Sequence, residues 1–441
     1  MSGPNRRADR SHERGAPDAG QASRAPERQR QAAGPIQGAG ADRLPETLAV
    51  IDAGRREGLH LGAQVYVSRR GEPVADLALG WARPGEELTP DHLMLWLSST
   101  KPVTAVAIAT LWETGALGLD DPIAAHVPEF AAGGKGGVTI RHALTHTGGF
   151  RMAGTRWPDE PWDAIIGRIC ERKLEPRWVP GEKAGYHLTS SWFMLGEIAR
   201  RLDGRPFDRF VRAAVLEPLG MDDSWIGMPA ERWRDYGARI APLWNTAGAA
   251  EAGNERGEGS PSGHGWTREE RVTRPSPGGN GRGPVRELGR FYETLLAGGA
   301  LHGRRVLRPQ TVEALTARHR VGMFDHTFRH ELDWGLGFIP DNKHYGADGG
   351  GGAGRAKGAG GAGAPGSEGR ESGVPYGYGR LCSRRTYGHS GYRSSTAFAD
   401  PVHGLAVAIA FNGTPEAEPH RLRMQRTVEA VYRDLGLGGG G

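Results

Sequence analysis

The sequence predicts an α+β fold, an α/β sandwich in which one antiparallel sheet is assembled from both ends of the chain. Near the start, Gln64–Ser68 and Val74–Leu79 are β-rich runs joined through Arg70-Gly71-Glu72, a hairpin signal. Near the end, Ser394–Ala399 and Leu405–Phe411 form two more, turned by Asp400-Pro401-Val402-His403-Gly404. Between about 115 and 300 the apolar residues recur at helical spacing, which predicts an inserted, mostly α-helical subdomain. Helices flank the sheet on this reading.

The elements follow in order. Leu44, Leu48 and Ile51 recur at four and three, so a helix begins at about Asp42 and stops near Gly54 and Gly58. After the first hairpin, closed by Gly80-Trp81, a helix opens around Leu97-Ser98-Ser99-Thr100-Lys101 and runs to about Glu113, before Gly115. Leu119-Asp120-Asp121-Pro122-Ile123 predicts another, with Asp120 or Asp121 as N-cap and Pro122 at the first helical position. Val138–Leu144 reads as a short capped helix ending in Thr145-His146-Thr147-Gly148-Gly149. Further helices are predicted over Trp162–Glu171, Ser190–Leu202, Pro206–Val215 and Pro284–Leu296. Met424, Val428, Val431 and Leu435 put an apolar stripe on a last one.

Composition bounds the rest. The chain has 441 residues, 70 of them glycine and 30 proline, and much of the glycine lies in low-complexity stretches. Residues 1–41 are Arg, Ala, Gly, Pro and Gln with few bulky apolar side chains, which predicts a disordered arginine-rich tail. One domain over 42–437 is expected, with low-complexity loops at about 247–270 and 346–373 and a flexible end at 438–441. Neither loop follows a strand and precedes a helix, as a phosphate-cradling loop must. Cys170 and Cys382 form neither a disulfide framework nor a metal-ligand spacing. The N-terminal stretch lacks the apolar core of a secretion signal and no run is long and apolar enough to cross a bilayer, so a cytoplasmic address is expected. The tail interleaves acidic residues with its arginines, and no nucleic-acid or membrane partner is expected.

The chemistry concentrates at Ser98 and Lys101. Three apart at a helix start, they share one face, a turn apart. Burial would lower the ammonium pKa, and the neutral amine could then take the Ser98 proton. Only six of the 56 basic residues are lysine. Where arginine is the default surface cation, a lysine at 101 points to a role arginine cannot fill, giving up its proton.

Four motifs occur in order: Ser98-x-x-Lys101, Leu144-Thr145-His146-Thr147-Gly148-Gly149, Tyr186 after Pro180-Gly181, and His389-Ser390-Gly391 before a strand. Leu119-Asp120-Asp121-Pro122, Gly283-Pro284-Val285 and Trp334-Gly335-Leu336-Gly337-Phe338 add smaller matches. From Leu44 to Leu435 the chain resembles the penicillin-binding-protein-like serine hydrolases, which include serine β-lactamases, family VIII carboxylesterases and D-amino-acid peptidases. The resemblance implies the β-lactamase/transpeptidase-like fold, an acylated nucleophile at Ser98, its base at Lys101 and a proton-transfer partner at Tyr186. His389-Ser390-Gly391 then stands where many members have Lys-Thr-Gly, bordering the substrate, with the N–H of Tyr392 and that of Ser98 as oxyanion hole. No cofactor or metal is implied; the partner is a small acyl substrate, and oligomeric state has no sequence signature.

Two departures steer the substrate class. Leu188 replaces the asparagine two residues after Tyr186, and leucine cannot hold a β-lactam amide. His187 is a candidate to compensate. His389 replaces a lysine and offers less fixed charge to a substrate carboxylate, which Arg393 could supply. Both changes favour short acyl esters over β-lactams; a β-lactamase or a D-amino-acid amidase or peptidase is the alternative. Acyl transfer to another alcohol is open on the same scaffold. Gly388-His389-Ser390-Gly391-Tyr392 also approximates a nucleophile elbow with Ser390 as nucleophile, but a strand follows it where a helix is needed. His146 reads as a loop brace, and His326 with His330 would be metal ligands only on a helix. A non-catalytic binding protein of this fold is the reading from another class; an intact Ser98, Lys101 and Tyr186 weighs against it.

Overall fold

The computed structural model describes residues 34–248, 260–261, 265–345 and 377–437. Its centre is one sheet to which both chain ends contribute. Strands β1 (Ile36–Ala39), β2 (Gly62–Arg69) and β3 (Glu72–Arg83) come from the start. Strands β4 (Ile339–Pro340), β5 (Tyr387–Gly391), β6 (Ser395–Asp400) and β7 (Leu405–Phe411) come from the end. The order is β1-β3-β2-β7-β6-β5-β4, antiparallel throughout, with Glu86–Glu87 added beside β3. The join between the two chain ends is β7 against β2, with Ile409 opposite Val65.

The period of two in β7 explains how the layers pack. Leu405, Val407, Ile409 and Phe411 join Val65 and Val67 in one core, against helices α1 (Pro45–Arg56) and α8 (Ala417–Asp434). Ala406, Ala408 and Ala410 face the other way, where small side chains let helix α7 (Val285–Leu296) lie close to the sheet. The approach is tight: a Cβ at Gly289 of α7 would come within 2.1 Å of the Tyr66 ring. Burying each large residue of the first face contributes about 1.5–3 kcal/mol.

The helical insert packs on that second face. Helix α2 (Lys101–Glu113) is buried along its first nine residues and contacts α5 (Ser190–Asp203). The short α3 (Ile140–Leu144) is capped by Thr139, whose hydroxyl accepts the His142 N–H at 3.2 Å while the His142 ring accepts the Thr139 N–H at 3.2 Å. Helices α4 (Trp162–Glu171) and α6 (Phe207–Val211) complete this layer, α6 continuing as a wider π-type turn over Arg212–Leu216.

Three expectations are corrected. Ile36–Ala39 lies inside the stretch read as tail, yet it pairs with β3, Ile36 opposite Leu79, because an edge strand can be held by backbone bonds alone. Pro122 is the N-cap of a short helix over Ile123–His126, not its first residue. Neither aspartate caps it: Asp121 accepts the Gly118 N–H at 2.6 Å and Asp120 pairs with Arg141 at 2.7 Å. Within the predicted 247–270 loop, Ser260–Pro261 pairs with Trp244–Asn245, and Glu269 opens a helical turn to Thr273. Residues 249–259 and 262–264 of that loop, with residues 1–33, 346–376 and 438–441, lie outside the described residues. Among the described residues no helix is long and apolar enough to cross a membrane.

Candidate active site

Ser98 sits in a single 3₁₀ turn, Leu97–Thr100, that leads directly into α2. The residue before it, Leu97, has φ of +49°, a left-handed conformation that costs a leucine energy and is held by its surroundings. Three segments supply that hold. The Trp96 N–H donates to the Gly281 carbonyl at 2.8 Å, and the Gly281 N–H donates to the Thr100 hydroxyl at 2.9 Å. From the sheet, the Ser395 hydroxyl donates to the Trp96 carbonyl at 2.7 Å. The Ser99 hydroxyl donates to the His389 carbonyl at 3.1 Å, tying β5 to the turn. Gly391 ends β5 against this turn, and a Cβ there would lie 2.4 Å from the Trp96 carbonyl oxygen. Only glycine fits.

Lys101 is fully buried one turn on. Its Nζ lies 3.1 Å from Ser98 Oγ, 2.7 Å from the Gly278 carbonyl and 3.2 Å from the Leu188 carbonyl. Burial pushes its pKa far below the ordinary lysine value, and among the described residues no charged neighbour opposes the shift. The surroundings favour the neutral amine. Two carbonyls can only accept, so they take its two N–H bonds and leave the lone pair for Ser98 Oγ. On the other side the Tyr186 hydroxyl lies 2.9 Å from the same oxygen. A serine between a buried amine and a phenol is equipped to lose and regain a proton.

Behind this triad lies a layer of neutral aromatics. The Trp334 ring stands 5.7 Å from that of Tyr186 and 4.7 Å from that of His146. His146 accepts the His187 N–H at 2.9 Å through Nδ1 and holds the chain beside Tyr186, the bracing role read from sequence. His187 is fully buried with its ring 4.6 Å from Phe150, in the packing layer and not on a substrate wall. The exposed side chain of this segment is Leu188, 64% accessible. His389 is fully buried, its Nδ1 2.8 Å from the Ser390 carbonyl; burial first, then Lys101, pushes its pKa down to about 3. It carries no charge near neutral pH.

The remaining predicted residues divide. Ser390 lies in β5, 3.0 Å from the Thr396 hydroxyl, in a strand followed by a strand, which removes the nucleophile-elbow reading. Tyr392 follows β5 and exposes its ring. Arg393 donates to the Pro415 carbonyl at 3.3 Å and its guanidinium lies over the Tyr392 ring, 4.9 Å from its centre. His326 follows one strand of a two-residue hairpin and His330 begins the other, so the helical spacing needed for two ligands is missing. Sequence reasoning missed the Gly278 and Leu188 carbonyls, since a backbone acceptor has no residue signature. It also missed Asp325, whose carboxylate accepts the Tyr186 N–H at 3.2 Å. Only the Pro275-Ser276-Pro277-Gly278-Gly279 string, a dense turn signal, could have drawn attention to the first.

The family model described as Beta-lactamase matches residues 48–432. The chain belongs to the β-lactamase family. It is a serine hydrolase of that family, whose fold is the one described above. It is similar to the esterase/β-lactamase LipL of Mycobacterium tuberculosis, 28% identical over 382 residues, covering 81% of this chain and 78% of that one. Among solved structures it resembles a penicillin-binding protein homolog from Caulobacter crescentus, with TM-score 0.70, 31% identity, and coverage of 91% of this chain and 100% of that one. A family VIII carboxylesterase superposes with TM-score 0.69 at 25% identity, covering 91% and 100% of the two chains.

Proposed function

We propose that this family member is a carboxylesterase of small, uncharged acyl esters, acting through an acyl-enzyme on Ser98. The observation that carries the reading is the pair of contacts on one oxygen: Lys101 Nζ at 3.1 Å and Tyr186 OH at 2.9 Å from Ser98 Oγ. The neutral Lys101 amine takes the Ser98 proton as Oγ attacks the ester carbonyl. Tyr186 passes its proton to the departing alcohol and regains one from the Lys101 ammonium. Water then attacks the acyl carbon, giving its proton to Lys101, and Ser98 Oγ leaves with a proton from Tyr186, which Lys101 again restores. The Ser98 and Tyr392 N–H groups serve as the oxyanion donors.

The ester preference rests on charge. Burial leaves His389 uncharged near neutral pH and favours the neutral amine of Lys101, so the position where many relatives carry a lysine gives no fixed cation to a substrate carboxylate. Leu188 presents an isobutyl group where an amide-holding side chain stands in relatives that grip β-lactams. The esterase half of LipL's name and the family VIII carboxylesterase are consistent with this. The test is a panel of p-nitrophenyl esters, a chromogenic cephalosporin and D-amino-acid amides, run on wild type beside Ser98→Ala. Fast turnover of short esters, lost in the variant, is the expected result; cephalosporin turnover exceeding ester turnover overturns the substrate assignment.

A further inference from the structure

We propose that Asp325, with Arg320 as its counter-ion, is a positioning residue for Tyr186, so that proton transfer at Ser98 depends on a buried ion pair outside the catalytic motifs. The inference rests on the assignment of Tyr186 as the proton-transfer group.

Asp325 is fully buried, and its carboxylate faces two ways. Oδ1 accepts the N–H of Tyr186 at 3.2 Å, of Thr327 at 2.8 Å and of Phe328 at 3.0 Å. Oδ2 accepts from Arg320 at 3.0 Å. Arg320 is itself buried and donates onward to the Leu332 and Thr145 carbonyls, each at 3.2 Å, with its guanidinium 5.2 Å from the centre of the Trp334 ring. The pair therefore joins the Tyr186 segment, the loop bearing His146 and the segment bearing Trp334.

The side chains so anchored are the ones that clamp the Tyr186 ring. Phe328 lies 4.9 Å from it, His146 4.6 Å and Trp334 5.7 Å. The Thr327 hydroxyl adds a bond to the Tyr186 carbonyl at 3.2 Å, and the His326 N–H one to the Ala184 carbonyl at 2.9 Å. A carboxylate is needed at the hub because both its oxygens only accept. An asparagine amide can serve the three N–H groups or Arg320, but its NH₂ then opposes donors on the other side. Loss of the hub frees the ring to shift, and a displacement near 1 Å costs about 10²-fold in rate.

The test is a double-mutant cycle between Asp325→Asn and Tyr186→Phe, with kcat and KM on one ester and the melting temperature of each variant. In the wild-type background D325N is expected to lower kcat about 10- to 100-fold with KM changed less than about threefold. In the Y186F background the same substitution is expected to change kcat less than about twofold, since there is no phenol left to position. Equal losses in both backgrounds overturn the inference. If D325N does not fold, Thr327→Val enters the same cycle, with an expected loss of about fivefold confined to the Tyr186 background; its absence overturns the inference too. S98A run in parallel separates the two levels: an active S98A defeats the esterase mechanism, whereas an inert S98A with full kcat in D325N defeats only the role given to Asp325.

Discussion

Lys101 Nζ lies 3.1 Å from Ser98 Oγ, fully buried, and its other two hydrogen-bond partners are carbonyl oxygens, not carboxylates. Among the described residues an ammonium in that place has no counter-ion to offset its desolvation, so it gives up its proton readily. The catalytic proposal and its pH dependence both follow from this one environment.

Esterase activity should depend on the deprotonated amine. The Lys101 pKa lies far below the ordinary lysine value, so activity is present at neutral pH and falls as acid protonates Nζ. A kcat/KM profile from pH 4 to 10 is expected to show a plateau above a single acid limb. Activity still climbing at the alkaline end of that range, as an unperturbed lysine pKa of about 10.4 dictates, contradicts it.

Tyr186→Phe removes the phenol 2.9 Å from Ser98 Oγ and leaves the ring packed among Phe328, His146 and Trp334. Loss of a positioned acid–base group lowers kcat about 10²- to 10⁴-fold. Steady-state kinetics should show that loss with little change in KM, and thermal unfolding a small shift.

Gly391→Ala should damage activity more than stability. Its Cβ would meet the Trp96 carbonyl at 2.4 Å and Ser395 Oγ at 2.3 Å, forcing β5 away from the Ser98 turn. Overpacking of this kind costs about 1–3 kcal/mol, while a shift near 1 Å at the site costs about 10²-fold in kcat. Parallel denaturant curves and kinetics separate the two effects.

Stability should fall steeply in acid. Burial holds the pKa of His60, His146, His187, His389 and His420 below the ordinary histidine value, with His187 and His389 at about 3. The unfolded chain binds these protons below about pH 6.5 and the folded chain does not. The stability is therefore complete above pH 6.5 and is lost as pH falls towards the folded values, by up to about 1.4 kcal/mol per pH unit for each group. Melting temperatures between pH 7.5 and 4.5 check this; a flat profile contradicts it.

Much of this architecture could be read in the residues because it rests on local periodicity. The alternation of large residues and alanines along Leu405–Phe411, and the Ser98-x-x-Lys101 spacing, each encode a face directly. What could not be read depends on contacts between distant segments. Asp325 and Arg320 lie in a stretch without strong periodicity, and their value arises only where Tyr186, Thr145 and Trp334 converge. His187 was misjudged for a related reason: adjacency to Tyr186 in sequence does not say which side chain faces outward, and Leu188 is the one that does. Likewise Ile36–Ala39 has too few apolar residues to announce a strand, and its partner in β3 makes it one.

Leu188→Asn returns an amide-holding side chain to the exposed position beside Lys101. Cephalosporin turnover relative to ester turnover should rise by about tenfold, the worth of one bond of about 1.4 kcal/mol. Unchanged relative rates would remove Leu188 from the account of specificity.

The central claim is tested most directly by trapping the acyl-enzyme. A fluorophosphonate or slow ester should add one adduct mass to the intact protein, and peptide mapping should place it on Ser98, with no labelling of Ser98→Ala. An adduct on Ser390, or ester hydrolysis undiminished in Ser98→Ala, would contradict the mechanism.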